Sequence, residues 1–106
     1  MPRKTKTEKL NEVFDWLNRD FPIRRSSKLT IRKIDKDYQG YVSYDDVSVE
    51  VVIDQNAPFY VACETLIHEW AHVKSRRVGH GIKFLECYHK IDSRFWELKK
   101  SKSSRG

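Results

Sequence analysis

The chain has 106 residues, of which 39% are hydrophobic and 34% charged, and its net charge is +6. That length holds one domain with a modest core. No stretch approaches the roughly 20 apolar residues of a membrane span, and no apolar segment follows the polar start Met1-Pro2-Arg3-Lys4 as a secretory signal would require.

The positive charge is uneven. Arg3, Lys4, Lys6 and Lys9 against Glu8 give residues 1–9 a net +3; Lys99, Lys100, Lys102 and Arg105 against Glu97 give residues 97–106 the same, and the segment between is balanced. Residues 1–6 and 100–106 are polar and short of apolar side chains, so they are expected to be disordered basic tails on a domain spanning 7–99. Such tails bind DNA weakly and without sequence preference by neutralising phosphates, or simply solubilise the ends.

In chain order, Leu10, Val13, Phe14 and Leu17 follow helical spacing and predict a helix from Glu8 to about Arg19, stopped by Pro22. Leu29, Ile31 and Ile34 mark a strand after the basic loop Arg24–Lys28. Asp35-Lys36-Asp37 is a turn, and Tyr38–Tyr44 is rich in strand formers, with Gly40 read as a bulge. After an Asp45-Asp46 turn, Val47, Val49, Val51 and Ile53 alternate with Ser48, Glu50 and Val52 as a half-buried strand. Asp54–Pro58 is a loop, and Pro58 sits where helices begin. A helix is predicted from Phe59 to Arg76 or Arg77, with Gly79 as its breaker. A last helix starts at Gly81 or Ile82, with a core stripe of Phe84, Tyr88, Ile91, Phe95 and Leu98. The order predicts an α+β domain: an N-terminal helix, a small three-stranded and mostly antiparallel sheet, then two helices. The thiols of Cys63 and Cys87 fall within helical patterns and read as reduced, as in an intracellular protein.

The segment His68-Glu69-Trp70-Ala71-His72 carries the chemistry. Two histidines four residues apart share one helix face, so their imidazoles can converge on one zinc ion. Glu69 sits about 100° around the helix, where a general base stands to take a proton from an activated water. Cys63, Leu66, Ile67, Trp70 and Ala71 form an apolar stripe on the same helix, and Glu64, His68 and His72 form a polar stripe beside it. A helix with one face in the core and a histidine face next to it fits a metal centre.

A catalytic zinc takes a third protein ligand. His80, Glu86, His89 and Glu97 follow the motif. The metzincin spacing would need Gly at 75 and His at 78, where the chain has Ser75 and Val78. His80 is the best choice, because Gly79 and Gly81 on either side let the chain reverse there. Nine residues on, His89 would point roughly 180° away from His80 on a helix, as a surface or packing side chain.

His68-Glu69-Trp70-Ala71-His72 followed by His80-Gly81-Ile82-Lys83-Phe84 resembles the SprT-like zinc metallopeptidases, whose pattern is H-E-x-x-H, a loop, then H-G-x-x-F or H-G-x-x-W. The resemblance covers about residues 59–95. It implies His68, His72 and His80 as zinc ligands, Glu69 as the catalytic base, and hydrolysis of peptide bonds. It also implies a use for the basic tails on DNA-associated proteins. Two cysteines cannot make the Cys₄ site of a separate zinc ribbon.

Three further expectations follow. The developing oxyanion needs a donor, and Tyr41, Tyr44, Tyr60 and Tyr88 are available without a choice among them. Asp92 either orients a zinc histidine or is a surface carboxylate. An extended peptide would add to a sheet edge at Val47–Ile53. The competing reading is a non-catalytic zinc domain that binds nucleic acid or protein; such a module has no need of a carboxylate at Glu69.

Overall fold

A computed structural model of the chain describes residues 4–34, 40–45, 47–75 and 81–103. Its elements are α1 (Lys6–Asp20), β1 (Ser26–Arg32), β2 (Gly40–Tyr44), β3 (Ser48–Asp54), α2 (Phe59–Ser75) and α3 (Ile82–Ser103). This is the α+β plan expected from the sequence. The predicted turn at 35–37, the residues Tyr38 and Asp46, and the breaker Gly79 lie outside the described residues.

Both terminal helices reach further into the tails than their apolar spacing indicated. At the N-terminus Thr5 closes a capping box: its hydroxyl accepts the Glu8 backbone N–H, and the Glu8 carboxylate accepts the Thr5 N–H. That satisfies two donors a helix start otherwise leaves open. Lys6 then ties the helix to the β3–α2 loop, donating to the carbonyls of Gln55 at 2.5 Å and Ala57 at 2.9 Å. Lys4 pairs with Glu12. At the other end α3 continues to Ser103, into the segment expected to be a tail.

The sheet is mixed, with strand order β1-β3-β2. β2 and β3 pair antiparallel as a hairpin, whereas β1 and β3 pair parallel. The hairpin turn is built by Asp45, whose Oδ1 accepts the N–H groups of Val47 at 2.9 Å and Ser48 at 2.8 Å. Those backbone donors hold the Asp45 carboxyl below its usual range. β3 is therefore the central strand. Val47, 71% exposed, belongs to the turn, and Val49–Ile53 is hydrogen-bonded on both sides. The predicted docking edge at Val47–Ile53 is thus no edge; β2 is the outer strand on the side of α2.

Gly40 pairs in regular register with Ile53, so it is not a bulge. Its role is close approach. A Cβ there would lie 2.6 Å from the Val52 carbonyl oxygen and 2.8 Å from Thr65 Cγ2 of α2, so only glycine lets β2 run this close under the helix.

The core lies between the sheet and the helices. Val49, Val51 and Ile53 of β3, Leu10 and Leu17 of α1, and Leu66, Ile67 and Trp70 of α2 are essentially solvent-free. On the outer face of the sheet Val52 is also buried, at 1%; Arg32 of β1 crosses above β3 to bond the Tyr41 hydroxyl of β2. Among the described residues no helix is long and apolar enough to cross a membrane.

Candidate metal centre

α2 begins where Pro58 offers its carbonyl to the Ala62 N–H at 2.8 Å, as the predicted helix start requires. From there 3.6 residues per turn sort the motif into faces. Trp70 and Ala71 are 0% exposed. Trp70 meets Phe14 of α1 edge-on at 5.7 Å and donates its indole N–H to the Phe21 carbonyl at 2.9 Å. Trp70, the first variable position of H-E-x-x-H, thus bolts the helix to α1, with Ala71 buried beside it. His68, two residues before Trp70, and His72, next after Ala71, are held on the neighbouring face.

His68 and His72 are half-buried, with their Nε2 atoms 3.1 Å apart and ring centroids 4.7 Å apart. Without an ion, one neutral imidazole donates to the other, in an order set by the tautomers. The spacing also suits a shared metal. Two nitrogen ligands at about 2.0–2.1 Å from a tetrahedral zinc lie roughly 3.3–3.4 Å from each other. The pair therefore fits a zinc ion with little adjustment.

α3 runs across this polar stripe with its residues in reverse order, so the two helices match turn for turn. Phe84, 2% exposed, stacks on His72 at 4.3 Å and 27° and meets His68 at 5.1 Å. One turn on, the Tyr88 ring stands edge-on to His68 at 5.9 Å, and its hydroxyl donates to Glu64 Oε2 at 2.5 Å. Further along, Trp96 donates its indole N–H to Glu64 Oε1 and Asp92 Oδ1, each at 3.1 Å, and stacks on Tyr60 at 6.0 Å.

The electrostatics of this seam follow from burial and crowded carboxylates. Burial, then the Glu64 hydrogen bond and charge, push the Tyr88 phenol well above its usual value, so it stays a donor at any working pH. Burial and the neighbouring Glu64 also raise the Asp92 carboxyl, against a lowering by Trp96 and His89.

The structure brings His68 and His72 together, with half-buried Glu69 between them in sequence. His80 lies outside the described residues. Among those that are described, no group of three or more metal-binding side chains is present. Glu86, His89 and Glu97 are exposed on α3, while the face that meets α2 is formed by Phe84, Tyr88, Asp92 and Trp96. Of the tyrosines, Tyr88 lies against a motif histidine; Tyr60 stacks on Trp96, Tyr41 takes Arg32, and the Tyr44 side chain is not described. Among the described residues, Asp92 bonds Trp96 and interacts with Glu64 and His89 rather than with His68 or His72. Cys63 is buried and Cys87 half-buried, and neither is in a disulfide.

Sequence reasoning missed the roof. Phe84 and Tyr88 were legible as a packing stripe, but periodicity alone does not say that the stripe packs on histidines. Trp96, one residue off that stripe, gave no signal beyond its type.

No family model matches the sequence, and no curated protein matches it. Solved structures do. The chain is similar to the metallopeptidase zymogen abylysin of Pyrococcus abyssi, at 20% identity and a TM-score of 0.59, over 84% of this chain and 93% of that one. It is also similar to the metallopeptidase zymogen jannalysin of Methanocaldococcus jannaschii, at 22% identity and a TM-score of 0.58, over 97% of this chain and 93% of that one. At such identities the likeness shows a shared fold, and it does not single out the SprT-like family.

Proposed function

We propose that the chain is a zinc-dependent metallopeptidase of SprT-like type, in which His68 and His72 hold the ion with His80 as third ligand and Glu69 serves as general base. The observation that carries this reading is the convergence of the His68 and His72 Nε2 atoms to 3.1 Å on a helix whose next face is locked into the core. The fold shared with two metallopeptidase zymogens supports it. Support for His80 over the acidic candidates comes from α3: Glu86 and Glu97 are exposed, whereas Phe84, four residues after His80, lies on His72.

When bound, zinc would make water at the site acidic enough to ionise near neutral pH and would polarise a carbonyl oxygen. Glu69 takes the proton from the attacking water on its carboxylate and returns it to the departing amine nitrogen. Phe84 and Tyr88 cover the imidazoles on one side and keep bulk water from the rings. The outer edge of β2, beside α2, is a place for an extended peptide to add its backbone hydrogen bonds.

Metal content tests the reading first, because it needs no substrate. Purified protein should carry close to one zinc per chain, and His68→Ala, His72→Ala and His80→Ala should each lower occupancy. If His80→Ala keeps full affinity while Glu86→Ala or Glu97→Ala loses it, the third ligand is acidic instead. Glu69→Gln should keep zinc and fold yet lose cleavage of unfolded polypeptides by orders of magnitude. Because the structural neighbours are zymogens, cleavage should be assayed before and after limited proteolysis. Full zinc with no cleavage in either state would leave a zinc-binding domain without peptidase activity.

A further inference from the structure

We propose that Glu64 is a positioning residue for the candidate metal centre: by holding the Tyr88 hydroxyl it fixes the ring that sets the orientation of the His68 imidazole. The inference rests on the zinc reading above. Glu64 lies one helical turn before His68 on the same face of α2. Both of its oxygens are engaged from α3, Oε2 by the Tyr88 hydroxyl at 2.5 Å and Oε1 by the Trp96 indole at 3.1 Å. The donors lie eight residues apart, so one carboxylate grips two points along α3.

The two histidines are supported differently. His72 has a ring stacked on its face, Phe84 at 27°. Among the described residues of α3, those that meet His68 do so by edges, Phe84 at 64° and Tyr88 at 75°. The last torsion of an imidazole is broad, so an edge contact fixes the ring only if the neighbour is itself fixed. Phe84 is immobilised by burial at 2% exposure. Tyr88 is only half-buried, and its tether is the short bond to Glu64. Removing that bond frees the Tyr88 ring and, with it, one wall of His68. Trp96 shares the carboxylate but stands two turns further along α3, against Tyr60. Its loss weakens the helix seam without reaching the imidazole.

Cobalt(II) in place of zinc reads both affinity and ligand geometry, the latter from its visible absorption band. Tyr88→Phe keeps the ring and removes only the hydroxyl. It should weaken Co²⁺ binding by about tenfold, the lower end of the roughly 10–100-fold seen when outer-shell partners are lost, and should alter the band. Trp96→Phe should lower the melting temperature comparably yet leave affinity and band as in the wild type. If Tyr88→Phe does not fold, Glu64→Leu, which removes both acceptor oxygens, is read the same way against Trp96→Phe. Wild-type affinity and band in Tyr88→Phe, or equal changes in Trp96→Phe, would overturn the positioning role while leaving the metal centre standing. A wild-type chain that takes up no Co²⁺ would overturn the metal reading itself, and the positioning role with it.

Discussion

On one face of α2, Cys63, Leu66, Ile67, Trp70 and Ala71 are 0% exposed and packed into the core; on the face beside it, Glu64, His68 and His72 are half-buried beneath α3. The first face is held by apolar burial, which is strong and non-directional. The second cannot be, because its groups are polar and need hydrogen-bond partners where they are buried. It is held instead by ring contacts and by charged hydrogen bonds, Phe84 on His72 and Tyr88 on Glu64. The comparison shows how a domain of this size carries a half-buried polar stripe: the helix is pinned from behind by Trp70 and covered in front by a row of aromatic side chains.

The largest expected break is on the core face. Trp70→Ala should destabilise the fold by about 3–5 kcal/mol, through the cavity and the orphaned Phe21 carbonyl. Denaturant unfolding would measure it. Zinc bound per folded molecule should remain near wild type, since the contacts of Trp70 with Phe14 and Phe21 lie on the core side of α2. A loss below about 1 kcal/mol, outside the usual range for a buried aromatic, would mean that the two faces are not divided as described.

A smaller break lies where α2 meets the sheet. Gly40→Ala places a Cβ against a backbone oxygen and Thr65, neither of which moves freely. Overpacking of this kind costs roughly 1–3 kcal/mol. Thermal unfolding should register it as a lowered midpoint. An unchanged midpoint would show that β2 can slide away from the helix, and the seam would then be looser than the core face it adjoins.

These elements also show what the sequence could tell. Both stripes of α2 were legible, because helical period alone separates Trp70 and Ala71 from His68 and His72. The sheet order was not, since alternation reports which side of a strand is buried, not which strands pair. A clue was present in Val51-Val52-Ile53, a continuous apolar run of the kind that marks a strand covered on both faces. Gly40 carried a real signal with the wrong cause, since a bulge and a close approach call for the same residue. Thr5 and Glu8 also spelled out the capping box, three residues apart. The pairing of Glu64 with Tyr88, 24 residues away, depends on the angle at which α3 returns over α2, and no local pattern encodes that.

The smallest expected effect concerns the charge on the covered face. The core has no buried charged residue among those described, whereas Asp92 stands in the α2–α3 seam with its carboxyl raised above the ordinary 3.8 by burial and then by Glu64. A carboxyl raised on folding binds its proton more tightly in the native state, so stability falls as pH rises between the unfolded and folded values. The favourable contribution is complete below about 3.8 and is lost once pH passes the folded value; above that, Asp92 is charged beside Glu64 of α2. Trp96 and His89 of α3 offset part of that cost. Asp92→Asn keeps the size and an oxygen for the Trp96 indole but cannot ionise. It should therefore stabilise the protein at neutral pH, by less than about 1 kcal/mol because solvent screens a partly exposed pair. The gain should shrink as pH falls toward 4. Every other carboxylate is common to both proteins, so subtracting their unfolding free energies from pH 4 to 8 isolates this pair. A variant less stable than wild type at pH 7, or a difference that does not change with pH, would show that the covered face of α2 carries no charge conflict.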